Sequence, residues 1–261
     1  LIDFLKGANK VIVGLEKFDS TILDNLPNLK VISKYGVGLN NINLDELNKK
    51  NIRLSFRPGV NKVPVAELAM LLILMSLRRV HLSMTNIKDG IWSQARGQEL
   101  TNKTIGILGF GNIGNHLADF LKPYKCKILG FDIQQIERKE VIQRTAEEIF
   151  ADADIVSIHL PLTDSSKGFI DKKLFEISKK DLKIINTSRG GIVNEEHLYN
   201  FLKNNEKAFA AFDVFEVEPA FDSPLLNLKN FFATSHLGSM TEEGVIAMGL
   251  AAIEGLDENN K

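Results

Sequence analysis

Short apolar runs alternate with segments of helical period from one end of the chain to the other. Lys10–Val13, Lys30–Ser33, Thr104–Leu108, Lys127–Phe131, Ile155–His159, Lys183–Asn186 and Ala208–Asp213 are each short, apolar and bounded by Gly, Asp, Asn or Lys, which is the signature of buried strands. Between them, Ile113–Leu121, Asp171–Ser178 and Glu195–Lys203 are amphipathic at helical spacing. The alternation predicts parallel sheets with helices on both faces. The pattern breaks once, over Val63–Gly90. Pro64 suits a first helical turn, a long apolar helix runs to Leu77–Arg79, and the polar stretch Lys88–Thr101 leads into a fresh strand at Lys103–Thr104. The expected organisation is a larger α/β domain over 78–240, with a smaller one formed by 1–77 and the tail 241–261, where Thr241–Leu256 reads as a helix. The chain begins with Leu, and Leu1–Gly7 reads as the end of a helix entering Lys10–Gly14. The smaller domain is therefore expected to be incomplete, with native residues upstream.

Composition narrows the class. Hydrophobic residues at 44% and charged residues at 25% are ordinary for a soluble globular chain and exclude extended disorder. A formal net charge of -1 over 261 residues supplies no basic footprint for nucleic acid. The longest apolar run, Leu68–Met75, falls well short of the ~20 residues that a membrane-spanning helix needs. Cys126 is the single cysteine, which excludes an intrachain disulfide and a Cys-rich zinc site. No metal is expected, and a reducing cytoplasmic compartment is the simplest setting.

The chemistry starts at T-I-G-I-L-G-F-G-N-I-G, residues 104–114, which contains G-x-G-x-x-G as Gly109, Gly111 and Gly114. The motif alone is weak. Here an apolar strand precedes it, a helix follows from Asn112 and Ile113, and Asp132 closes the next strand 23 residues after Gly109. Gly109 permits the tight turn, Gly111 lets the backbone approach a pyrophosphate, and Gly114 lets helix and strand pack closely. The helix start then offers free N–H groups to phosphates. Asp132 can accept both ribose hydroxyls, and Ile133, Gln134 and Gln135 offer no Arg for a 2′-phosphate. NAD is the expected cofactor, and His159, at a strand end beside this turn, is a candidate contact.

Three later strand ends carry Arg189, then Asp213 and Glu218, then His236. In doubly wound sheets such ends face one crevice. Arg189 can hold a substrate carboxylate with two parallel bonds and polarise a keto oxygen. His236 can give or take the hydroxyl proton near neutral pH, and Glu218 can fix its tautomer. The set suits hydride transfer between a nicotinamide and C2 of a 2-hydroxy acid. Tyr199 and Lys203 have the spacing of another dehydrogenase pair, but an amphipathic helix explains them. His81, His116 and His197 read as surface or interface residues, and Trp92 as a packing anchor.

At this point the sequence resembles the D-isomer-specific 2-hydroxyacid dehydrogenases, among them the phosphoglycerate-acting members. The resemblance runs from K-V-I-S-K-Y-G-V-G-L-N-N-I-N at 30–43 through V-A-E-L-A at 65–69 and G-I-L-G-F-G-N-I-G at 106–114. It continues with H-L-P-L-T at 159–163, I-N-T-S-R-G-G at 185–191, D-V-F-E-V-E-P at 213–219 and S-H-L-G-S-M-T at 235–241. It implies a Rossmann-type doubly wound NAD domain beside a flavodoxin-like α/β substrate domain, with Arg189, Glu218 and His236 catalytic. It further implies that Asp213 meets the nicotinamide amide and that Pro161, Thr163, Thr187, Ser188 and Gly238 line the nucleotide. Val37 and Gly38 would be backbone donors to the substrate carboxylate, and the assembly a homodimer built on the NAD domain, with Val65–Leu77 as part of the interdomain and dimer region. Lys17, Lys34 and Arg57 are the cations that could receive a substrate phosphate. A formate- or phosphite-type dehydrogenase and a non-catalytic NAD-sensing corepressor share the scaffold and stand as alternatives.

Overall fold

The computed structural model describes residues 1–257. Its contacts divide into two compact units, Leu1–Pro64 with the chain from Ser239 onward, and Val65–Gly238. Residues 258–261 of the expected smaller domain lie outside the described residues.

The smaller unit opens with α1 (Ile2–Leu5), β1 (Lys10–Val13), α2 (Ser20–Asp24), β2 (Val31–Lys34), α3 (Leu44–Lys49) and β3 (Arg53–Ser55). Its strands pair in parallel in the order β1-β2-β3. Asp19 and Asn43 start the two crossover helices by accepting the N–H groups of Ile22 and Glu46. Val13, Phe18, Leu23, Ile32, Ile42 and Leu47 fill the core on one face.

The helix α4 (Lys62–Arg78) begins in this unit and continues into the larger one, followed by α5 (Val80–Lys88). Arg79 joins them in the left-handed conformation, φ 53°. The division falls at Pro64/Val65, earlier than the expected 77/78. Ala66, Ala69, Leu72, Ile73 and Leu77, on one stripe of α4, are buried in the same cluster as Ile105, Leu117 and Phe209. That stripe belongs physically to the larger unit.

The larger unit then runs β4 (Thr104–Leu108), α6 (Asn112–Leu121), β5 (Lys127–Phe131), β6 (Val141–Gln143), α7 (Ala146–Asp152) and β7 (Ile155–Ile158). It continues through α8 (Lys172–Ile177), β8 (Lys183–Asn186), α9 (Glu195–Asn204), β9 (Phe209–Phe212) and β10 (Phe231–Ala233). All seven strands are parallel, in the order β10-β9-β8-β7-β4-β5-β6. Successive strands step outward from β4 on one side and then from β7 on the other, so this is a doubly wound sheet. Its topological switch point lies between β4 and β7, where ligands bind beyond the strand ends. The central strands β4, β7, β8 and β9 carry almost wholly buried side chains, as a sheet covered on both faces requires.

The last helix, α10 (Glu242–Glu254), returns to the smaller unit. Thr241 caps it by accepting the Gly244 N–H at 2.9 Å. Its end at Gly255 lies over Ser33 and Ser55, paired residues on β2 and β3; a Cβ at Gly255 would meet their hydroxyls at 2.4 and 2.5 Å. Arg53 on β3 donates to the Gly255 and Leu256 carbonyls at 3.0 and 2.9 Å, satisfying groups that every helix end leaves open.

Trp92, expected as a packing anchor, is 86% exposed. His81 is half-buried, with its ring 4.3 Å from that of Phe209, and burial lowers its pKa.

Candidate functional site

The glycine turn occupies the switch point. Gly109 follows β4 with φ +97°, and a Cβ there would meet the His159 carbonyl oxygen at 2.6 Å. The chain after β7 therefore presses directly on the turn. Gly114 packs as closely, since a Cβ would lie 2.0 Å from the Gly109 oxygen. Gly111 differs: a Cβ there meets nothing within 4 Å. It is also the N-cap of α6, and among the described residues no side chain satisfies the first N–H groups, including those of Asn112 and Ile113. An open approach to unsatisfied donors at a helix N-terminus fits a pyrophosphate.

Asp132, at the end of β5, accepts the Phe110 N–H at 2.7 Å through Oδ2 and the Gln134 N–H at 3.0 Å through Oδ1. Each oxygen keeps a further lone pair for a ribose hydroxyl. Gln143 on β6 stiffens this loop by accepting the Ile136 N–H at 2.9 Å and donating to the Gln134 carbonyl at 3.0 Å. Arg138, the next cation along the loop with a guanidinium, is engaged by Asp119 at 2.6 Å and Glu140 at 2.7 Å. It holds the Glu140 carboxyl down at about 2.

The remaining nucleotide candidates lie on two loops. His159 is half-buried, but its Nδ1 is inaccessible and without a partner among the described residues. Its Nε2 lies 2.8 Å from the Ser157 hydroxyl, and burial pushes its pKa down to about 3. Ser166 knits the following loop by donating to the Pro161 carbonyl at 2.6 Å and accepting the Thr163 N–H at 2.8 Å. Ser188 donates its hydroxyl to Asn186 at 2.9 Å, whereas the buried Thr187 hydroxyl has no partner among the described residues. An orphaned buried hydroxyl beside the strand end is a group that a bound nucleotide can satisfy.

Arg189, Glu218 and His236 come from the ends of β8, β9 and β10. His236 Nδ1 lies 2.8 Å from Glu218 Oε2. Glu218 Oε1 accepts the Phe215 N–H at 2.9 Å. Burial lowers the Arg189 pKa from its ordinary value, and the Glu218 carboxylate opposes that shift. The Asn186 amide holds the Arg189 carbonyl at 3.0 Å, which fixes the turn that carries the guanidinium.

Asp213 does something the sequence reading missed. It is 1% exposed, and its carboxylate accepts from the Thr234 hydroxyl, from the Leu237 N–H at 2.8 Å and from the Gly238 N–H at 2.8 Å. Its own carbonyl takes the His236 N–H at 2.9 Å. One buried carboxylate thus shapes the segment that presents His236, which sits at φ 54°, a conformation rare outside glycine. With three acceptor positions engaged by this loop, room remains for one further donor.

Val37 and Gly38 lie on the loop after β2 in the smaller unit, half-buried. Among the described residues no main-chain acceptor takes either N–H. Asn41 ties this loop to the one after β1 by donating to the Gly14 and Glu16 carbonyls at 3.1 and 2.6 Å. The three cations considered for a substrate phosphate are engaged within the unit. Lys17 pairs with Asp19 at 3.2 Å, Arg57 pairs with Glu254 at 2.7 Å, and Lys34 is buried against the Gly14 carbonyl and Asn41. Among the described residues no group of three His, Cys, Asp or Glu could hold a metal, and no helix is long and apolar enough to cross a membrane.

Comparison with known proteins gives concordant matches. The profile of the D-isomer specific 2-hydroxyacid dehydrogenase, NAD binding domain, matches residues 70–238. Hydroxypyruvate reductase of Thermotoga maritima is 34% identical over 94% of this chain and 82% of its own length. D-3-phosphoglycerate dehydrogenase of Methanocaldococcus jannaschii is 34% identical over 97% of this chain, which spans only 50% of that protein. The NAD-bound 3-phosphoglycerate dehydrogenase of Entamoeba histolytica superposes with a TM-score of 0.84 at 30% identity, covering 98% of this chain and 80% of the other. The chain thus belongs to the D-isomer-specific 2-hydroxyacid dehydrogenase family, and residues 70–238 are its NAD-binding domain.

Proposed function

We propose that the chain is an NAD-dependent oxidoreductase that moves a hydride between the nicotinamide and C2 of a small D-2-hydroxy acid or its 2-keto acid. The observation that carries this reading is the 2.8 Å contact between His236 Nδ1 and Glu218 Oε2. It leaves Nε2 to exchange a proton with the substrate hydroxyl, and it fixes which tautomer does so. The bound nicotinamide supplies the hydride donor or acceptor. Arg189 binds the substrate carboxylate and polarises the oxygen on C2. Asp132 and the engaged Arg138 favour NAD over its 2′-phosphorylated form, because an anion meets a carboxylate and no available guanidinium there. Burial of Lys34 against the Gly14 carbonyl and Asn41 favours unphosphorylated substrates of the glyoxylate or hydroxypyruvate class over phosphoglycerate. We further place the active form as a homodimer in a reducing cytoplasm. The exposed apolar side chains Val80, Met84, Ile87, Ile91 and Trp92 support a face that a second copy covers.

The test is oxidation of NADH, followed by absorbance, with glyoxylate, hydroxypyruvate, pyruvate and 3-phosphohydroxypyruvate. Turnover is expected with one or more of the first three, and His236→Asn or Arg189→Ala should each lower kcat/KM by about 100-fold or more. Near-parental turnover in either variant would sink the mechanism. NADH binding without turnover on any acid would favour the NAD-sensing alternative.

A further inference from the structure

We infer that Glu195 is a positioning residue for the acid–base pair: its carboxylate holds the turn from which Glu218 reaches His236. The inference rests on the reading of that pair given above.

A chain of short bonds carries it. Glu195 Oε1 accepts the Glu216 N–H at 2.8 Å. The preceding amide, that of Phe215, donates to Glu218 Oε1 at 2.9 Å, and the other Glu218 oxygen meets His236 Nδ1 at 2.8 Å. Two consecutive amides of one short turn are therefore fixed by two different carboxylates. One of these carboxylates carries the catalytic contact, and the other comes from the start of α9. Gly190 closes the turn from a further direction, since a Cβ there would lie 1.9 Å from the Phe215 carbonyl carbon. Beneath it, the Phe215 ring packs with Phe212 and Phe231 at centroid distances of 6.4 and 6.0 Å.

The pair itself is partly open to solvent. The side chains of Glu218 and His236 are 36% and 46% exposed. Their mutual orientation leans on the hydrogen bond that ties Glu218 to the turn. A turn that shifts by a fraction of an ångström moves Oε2 away from Nδ1, and catalysis is sensitive to displacements of that size.

An ordinary helix-start role does not account for Glu195. Asn194 already caps α9 by accepting the His197 N–H at 2.9 Å. Glu196 beside it is exposed and supplies the negative charge that a helix N-terminus favours. Glu195 is instead half-buried and turned toward the Glu216 amide. Burial raises its pKa, the Glu216 amide partly offsets this, and the charges of Glu216 and Glu218 raise it further. A group placed against that opposition, with one amide bond to favour it, is held for that bond.

The experiment compares Glu195→Ala with Glu195→Gln in the whole chain. Glutamine keeps an acceptor oxygen at the same reach. Alanine should lower kcat by about tenfold, the effect of losing one positioning hydrogen bond, while KM for NADH stays within about twofold of the parent. Glutamine should restore most of kcat. The 15N resonances of the His236 ring report its Nδ1 bond to Glu218 without substrate. They should keep the parental pattern in the Gln variant and lose it in the Ala variant. Should Glu195→Ala not fold, Glu195→Met keeps the stem without an acceptor and is read in its place. Parental kcat and parental ring resonances in the acceptor-less variant overturn the inference, and so does a Gln variant as impaired as the Ala variant. His236→Asn separates the two failures. If it retains turnover, the acid–base reading fails; if it is inactive while the acceptor-less Glu195 variant is parental, only the role of Glu195 fails.

Discussion

His159 shows how one side chain ties the switch point to pH. Its carbonyl presses on Gly109, and its ring is held neutral by burial, with a folded pKa of about 3 against 6.5 for a free imidazole. The folded pKa is depressed, so the stability from the neutral ring is complete above 6.5 and is lost as pH falls from 6.5 toward 3. At pH 5 the loss is about 2 kcal/mol. Urea midpoints at pH 7.5 and pH 5 should therefore lie closer together in His159→Asn than in the parent, and an equal separation in both would refute the assignment. At this scale the candidate residues could be singled out because their types and order are local facts. The work of Asp213 and Glu195 could not be read this way. Asp213 binds amides 24 and 25 residues further on, and Glu195 one that is 21 residues away. Pairings at such separations exist only after β9 and β10 have lined up. Before folding, Glu195 resembles any acid in a first helical turn.

Among the elements, the turn from β4 into α6 divides its three glycines by role, and substitution separates them. Gly111→Ala adds a methyl group to open space at an ordinary negative φ of -70°, so thermal stability should be nearly unchanged. The methyl group stands where the pyrophosphate approaches, so NADH affinity by fluorescence should fall by about tenfold or more. Gly114→Ala drives a methyl group into the Gly109 carbonyl and should destabilise the fold by about 1–3 kcal/mol. Equal loss of stability in the two variants would show that the turn does not divide this way. The strands that escaped the sequence reading share a cause. β3 and β6 are each three residues long and lie at sheet edges. Edge strands are short and partly polar, and Val141–Gln143, with one buried position, leaves no apolar run to recognise. The central strands are buried on both faces and were legible for that reason. Three-residue ladders form because a neighbouring strand offers unpaired groups, which no local pattern records.

For the whole molecule, the apolar face on α5 and the segment after it predicts association. Met84 and Trp92, 47% and 86% exposed, line the same groove with Ile87. The parent should elute as a dimer by light scattering, and Met84→Glu should shift it toward monomer with little change in NADH affinity per chain. A parental monomer would remove the dimer from the proposal. The bonds from Arg53 to Gly255 and Leu256 bear on synthesis as well as on stability. They join residues 202 and 203 positions apart, and Gly255 is the spacer that lets the end of α10 sit on Ser33 and Ser55. Along the chain, β1 to β3 precede the helix that closes their open face by the whole contiguous stretch Val65–Gly238, so they leave the ribosome well before it. Domains fold as units as they emerge. The NAD-binding unit can therefore fold before α10 emerges, while the smaller sheet waits for that helix with one face uncovered.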